Sequence, residues 1–205
     1  MPKQVRDPHA RVRVIEAARR TIAARGFKGA TVRAIADEAG VSTGFVMHYF
    51  ADKQQVADEV LRYNNRLAAA RVVAARKRQR GTSAVLAMAE ALLPYDEERR
   101  LTWQVWAAAW SVAQPDEPSA SELETARAGL AAMLADALGE AVIDGDLPSG
   151  LDLTYEADRL EVLLAGLGLR ARVVAAGRRR RVASRMLADH LAALAGAPLV
   201  EVPSG

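Results

Sequence analysis

Thr31-Val32-Arg33-Ala34-Ile35-Ala36-Asp37-Glu38-Ala39-Gly40-Val41-Ser42-Thr43-Gly44-Phe45-Val46-Met47-His48-Tyr49-Phe50 is the stretch whose reading decides the fold. Thr31 suits a helix N-cap, because its hydroxyl can accept from a free N–H of the first turn. Val32, Ile35, Ala36 and Ala39 then fall on one helical face. Gly40 interrupts the pattern, and Ser42 follows as a second cap. The next helix is also short, with Val41, Phe45 or Val46, and Phe50 available for a buried rear face. Two short helices joined by a tight glycine turn make a helix-turn-helix. Such a unit sets its second helix in the DNA major groove, which is about 12 Å wide and admits one helix. Its leading face must therefore be small, and Ser42, Thr43 and Gly44 are.

Working outward, Asp7 can cap a first helix with Pro8 at its first position. Val14, Ile15, Ala18 and Ile22 form its apolar stripe, Gly26 ends it, and Phe27 folds back onto that stripe. Downstream, Asp52 caps a fourth helix that starts near Lys53 and runs to the basic cluster Arg76-Lys77-Arg78-Gln79-Arg80, with Gly81 at its end. Further helices are expected near residues 82–93, 96–113, from Ser119 or Ser121 to Ile143, and at 154–176 and 178–195, broken by Pro94, Pro115, Pro118 and the Pro148-Ser149-Gly150 loop. No alternating apolar and polar run argues for strands. The expectation is an all-α chain of about nine helices. Residues 1–53 would form a three-helix helix-turn-helix DNA-binding domain, 54–196 a ligand-binding and dimerisation domain, and 197–205 a loose tail. The contrast between short early helices and long later ones puts the change of domain within the fourth helix.

The charge is uneven in a way that fits this division. Residues 1–53 carry ten Lys/Arg and five Asp/Glu, so +5, while the whole chain carries only +3. A basic head on a near-neutral body suits a polyanion. There is no cysteine, which excludes disulfides, thiolate metal sites and a cysteine nucleophile. The polar N-terminus lacks the apolar run of a signal peptide, and no run reaches the ~18 residues that span a bilayer. The expectation is a cytoplasmic, soluble protein without a membrane partner.

Gly26-Phe27, Ala30-Thr31-Val32, Ile35-Ala36, Ala39-Gly40-Val41-Ser42, Gly44, Val46, Tyr49-Phe50 and Lys53 together resemble the DNA-binding head of the TetR family of bacterial repressors. Ser42-Thr43-Gly44 followed by His48-Tyr49-Phe50 is most similar to the family's BetI-like branch, as are, more loosely, Trp106-Ala107-Ala108-Ala109-Trp110 and Leu164 to Arg170. The resemblance implies dimerisation through the last two helices. It also implies a small-molecule effector that enters the C-terminal core and releases a palindromic operator. It marks Thr31, Arg33, Ser42, Thr43, Gly44, Met47, His48, Tyr49 and Lys53 as DNA-contacting positions. Many members carry tyrosine where this chain has Met47, and a thioether cannot donate that residue's hydrogen bond to phosphate. Lys3, Arg6, Arg11 and Arg13 are candidates for nonspecific backbone contacts.

Trp103, Trp106 and Trp110 share one helical face. Core packing is the ordinary meaning of such a stripe; the functional alternative is an aromatic wall for a cationic ligand, joined by Tyr95 and Tyr155, with Glu90, Glu97 or Asp158 balancing its charge. The effector stays open among choline-like cations, acyl compounds and aromatic compounds. Leu160, Leu164, Leu167, Met186, Leu187 and Leu194 are the candidates for the dimer seam, with burial inside one subunit as the rival reading. Arg178 to Arg181 has three readings: a second nucleic-acid site, a solvated helix start, or a partner for acids across the dimer. His9, His48 and His190 are the only histidines and none joins a catalytic or metal-binding constellation; neither a phosphate-cradling glycine loop nor a nucleophile elbow is present. No enzyme activity, metal or cofactor is expected. The alternatives to an effector-responsive repressor are a regulator of the same fold controlled by a protein partner or by nothing, and a helical enzyme or ligand carrier.

Overall fold

The computed structural model describes residues 8–114, 118–174 and 176–196. They form nine helices and no strand: α1 Pro8–Gly29, α2 Val32–Ala39, α3 Thr43–Tyr49, α4 Lys53–Arg76, α5 Gly81–Leu92, α6 Glu97–Trp110, α7 Pro118–Ile143, α8 Leu153–Arg170 and α9 Ala176–Gly196. Among the described residues, no helix is long and apolar enough to cross a membrane. Asp7, the expected cap of α1, and the 197–205 tail lie outside the described residues.

Local chemistry sets most boundaries. α1 breaks at Gly26, whose φ of 69° is open to glycine at little cost. Asp52 accepts from the Gln55 N–H at 2.7 Å to start α4, Asp96 accepts from the Arg99 N–H at 2.8 Å ahead of α6, and Asp152 accepts from the Tyr155 N–H at 3.0 Å to start α8. α1 runs on to Gly29 and α6 ends at Trp110, three residues short of expectation, and two further boundaries differ in a way that has a visible cause. Gly81 opens α5 instead of closing α4: its φ is 57°, it is buried, and its N–H donates to the Glu140 carboxylate at 3.3 Å. α8 stops at Arg170, short of 176, where Arg172 N–H to Leu169 C=O and Val173 N–H to Arg170 C=O tighten the backbone into 3₁₀-type turns. Neither glycine nor proline announces that stop.

Packing divides the chain into two units. The first comprises the described residues up to Leu67 and those from Arg100 to Glu124. Its core contains Val14, Ile15, Ala18 and Ile22 of α1, Ile35 and Ala36 of α2, Val46 and Phe50, Val56, Val60 and Leu61 of α4, and Val105 and Ala109 of α6. This unit holds the helix-turn-helix together with most of α6, from Arg100 to Trp110, which follows it by some fifty residues in the chain. The second unit comprises Ala68–Arg99 and the described residues from Thr125 onward. Its buried side chains include Val85, Met88 and Leu92 of α5, Leu134 and Leu138 of α7, Leu160 and Leu164 of α8, and Leu187 and Leu191 of α9.

Candidate nucleic-acid interface

α2 and α3 are both capped by their own sequence. The Thr31 side chain accepts from the Ala34 N–H at 3.1 Å, and the Ser42 side chain accepts from the Phe45 N–H at 3.1 Å. Between the helices Gly40 sits in the left-handed region, φ 66° and ψ 34°, and its N–H bonds back to α2. This closes α2 and turns the chain within two residues toward α3. Ile35, Ala36, Val46 and Phe50 are buried behind the motif, and Phe45 and Val41 pack partly against them. Phe45 is thus only half-buried, and Val46 is the buried anchor of α3.

Opposite that anchor lies an open surface. Thr31, Arg33, Ser42, Thr43, Gly44, Met47 and His48 are exposed. Tyr49 is half-buried, its ring 5.3 Å from Phe45 and 5.1 Å from His48. Lys53 is half-buried too, and its Nζ donates to the Lys28 carbonyl at 3.1 Å, tying the start of α4 to the end of α1. Of the basic residues expected to assist, Arg11 is engaged within the unit: it pairs with Glu59 at 2.9 Å and lies over the Phe50 ring at 5.2 Å. Burial alone would raise the Glu59 pKa, but the Arg62 and Arg11 guanidiniums outweigh it and hold the carboxyl below its usual range. Arg13 is exposed; Lys3 and Arg6 lie outside the described residues.

The tryptophans of α6 pack against one another. Trp103 is buried, with its ring centroid 5.2 Å from Trp106 and 6.0 Å from Trp110, both steeply inclined to it. Trp110 is exposed at the end of the row. Tyr95 and Tyr155 belong to the second unit. The Tyr95 ring lies near the Arg99 and Arg180 guanidiniums, at 5.3 and 5.4 Å, and lines a small apolar cleft with Leu93, Leu167 and Val182. Tyr155 is 60% exposed, with Arg159 beside its ring. Two of the proposed counter-charges are already engaged: Asp158 with Arg127 at 2.8 Å, and Glu90 with the Ser184 hydroxyl at 2.8 Å and Arg180 at 3.5 Å. That last pair gives one arginine of the Arg178–Arg181 run an acidic partner within the same chain.

On α8 and α9, Leu160, Leu164, Leu167, Leu187 and Leu194 are buried inside the second unit; Met186 alone of the six is exposed. The apolar residues that remain open on α8 are Tyr155, Val162 and Leu169, with Gly166 on the same stripe. The burial of the five leucines accords with the rival reading, packing within one subunit.

Sequence reasoning missed a set of buried polar groups. Arg19, Asn64, Asn65 and Thr102 are all buried in the first unit. Asparagine is a poor helix former, so a tandem pair in the middle of α4 was a usable signal.

Residues 14–60 match the model of bacterial regulatory proteins of the TetR family, and residues 81–196 match that of the BetI-type transcriptional repressor C-terminal region. The chain is 29% identical over 176 residues to the regulator PksA of Bacillus subtilis, covering 83% of this chain and 82% of that one. It is 35% identical over 120 residues to the regulator BetI of Burkholderia ambifaria, covering 57% of this chain and 61% of that protein, so the match spans about three fifths of that relative. Among solved structures, a transcriptional regulator from Saccharomonospora viridis in complex with choline superposes with a TM-score of 0.83 at 26% identity, over 91% of this chain and 97% of that one. A Rhodococcus transcriptional regulator gives 0.79 at 26% identity, over 93% and 99%. These are transcriptional regulators and not enzymes. With its BetI-type region spanning more than half of its length, the chain belongs to the TetR family of helix-turn-helix transcriptional regulators.

Proposed function

We propose that the chain is a repressor that binds a palindromic operator as a dimer and leaves it when a small-molecule effector binds. The observation that carries this reading is the surface of α3. Its small polar leading end, Ser42-Thr43-Gly44, is exposed, while Val46 holds the opposite side in the core. Such a helix can enter the major groove without clash and be held rigidly there. Thr43, Gly44 and Met47 then face base edges, and Thr31, Arg33, Ser42, His48, Tyr49 and Lys53 face the phosphates. For Lys53, this requires its ammonium to keep a free donor beside its bond to the Lys28 carbonyl, which a group with three N–H bonds has.

The exposed stripe Tyr155, Val162, Gly166 and Leu169 on α8, with Met186 on α9, supports pairing with a second copy. At Gly166 nothing lies within 4 Å of where a Cβ would stand, so another helix can approach closely there. The choline complex of a structural neighbour supports a cationic effector for this chain. The exposed ring of Trp110 offers a face to such a cation. DNA selected from a random pool tests the reading. It should be palindromic, bound with an affinity that falls steeply with salt, and released by an effector found by thermal-shift screening that begins with choline. Binding by a monomer, or to no duplex at all, refutes it.

A further inference from the structure

Three buried polar residues of the first unit, Arg19, Asn64 and Thr102, are joined in a closed set of hydrogen bonds. Arg19 of α1 is 3% exposed. Its Nε donates to Asn64 Oδ1 of α4 at 2.9 Å, and its Nη2 donates to Thr102 Oγ1 of α6 at 2.9 Å. Asn64 Nδ2 closes the triangle by donating to the Thr102 carbonyl at 3.3 Å. One residue along α4, Asn65 accepts from Trp106 Nε1 at 2.7 Å and donates to Glu122. The two asparagines therefore tie α4 to both ends of one α6 segment, and Arg19 ties that segment to the first helix of the DNA-binding head.

Burying a guanidinium is a poor way to gain stability, because desolvation offsets most of what its partners return, and apolar side chains of similar volume often do better. A guanidinium does give direction: it is planar, and its donors fix the angle between the groups it bonds. Apolar packing between α1 and α6 would let the helices slide; this triangle does not.

We propose that Arg19, Asn64 and Thr102 are positioning residues that lock α6 to the DNA-binding head, so that α6 and the recognition helix move together. The inference rests on the DNA-binding reading above, and it extends that reading by naming where the head is held. Coupling of this kind is reciprocal: if α6 sets the head, DNA on the head must be felt at α6. The chain provides a reporter, since its three tryptophans, Trp103, Trp106 and Trp110, all lie on α6.

The test uses the full chain and a fluorescently labelled duplex selected by that chain from a random pool. Anisotropy of the label reads binding, and tryptophan emission reads α6. In the wild type, saturation with the duplex should change the emission. Asn64→Leu and Arg19→Met should lose most of that change at saturating duplex. Thr102→Val, which removes one hydroxyl and keeps the shape, should lose part of it and guards against variants that fail to fold. A role in stability alone predicts a lowered melting temperature with the full emission change retained. That result overturns the proposal, as does a wild type that binds the duplex with unchanged emission. Failure to bind any duplex shows in the anisotropy and overturns the DNA-binding reading together with this one.

Discussion

Replacing Val46 by alanine tests whether the recognition helix hangs on a single buried side chain. α3 has seven residues, far below the ~12 at which an isolated helix becomes even marginal in water. Its position therefore depends on its cap and on what it buries, and Val46, at 0% exposed, is the buried residue it has. Val46→Ala removes two methyl-sized groups from the core, at ~0.8 kcal/mol each, so ~1.6 kcal/mol of transfer free energy. The helices around the site are fixed by Ile35, Phe50 and Val60, so the cavity collapses only in part and adds ~1 kcal/mol. The expected loss is ~2.5 kcal/mol, read as a fall of about 1 M in the urea midpoint with an unchanged slope, at fixed protein concentration. The neighbouring Met47 is the control. It is 42% exposed, and Met47→Ala should cost less than ~0.5 kcal/mol while changing the sequence preference for DNA. Equal midpoint shifts for the two variants, or a loss below ~1 kcal/mol for Val46→Ala, would refute the single-anchor account.

Three further outcomes follow from the same structure. Gly40→Ala should lower stability by ~1 kcal/mol, measured by thermal melting, because φ 66° is costly for any Cβ even though nothing crowds the site; an unchanged melting temperature would count against the left-handed turn. Burial, together with Arg159, holds the His190 imidazole below its ordinary pKa against the opposing pull of Glu156. The folded state then prefers neutral His190, so its contribution is present above pH ~6.5 and is lost as the pH falls through the lowered value. His190→Gln should flatten the acid side of the stability profile, and a slope identical to wild type would contradict this. Val162→Glu, which puts a charge on the exposed stripe of α8, should give a monomer in sedimentation analysis; a dimer of undiminished affinity would move the interface elsewhere.

The helix-turn-helix was legible because its signals are local. Thr31 and Ser42 cap with their own side chains, Gly40 takes a φ that glycine tolerates best, and Val32, Ile35, Ala36 and Ala39 recur at helical spacing along α2. α8 was harder for the converse reason. Its last turn ends through carbonyls at Leu169 and Arg170 and not through glycine or proline, and backbone pairing of that kind leaves no mark on residue type.

The amino-acid order alone determined the nine helices to within a few residues at most ends, the recognition helix, and the polar edge that faces away from its core. Each follows from hydrogen bonds and periodicities that act within about four residues of chain. Tertiary structure decided three things the order does not carry. It placed α6 in the same unit as the head, through Arg19, Asn64 and Thr102, which lie up to 83 residues apart. It turned the leucines of α8 and α9 inward and left Tyr155, Val162 and Leu169 outside. It also gave Gly81 a helix to open instead of one to close. The common reason is that burial and long-range hydrogen bonding choose among faces that are equally amphipathic in sequence, and that choice exists only once the helices are packed.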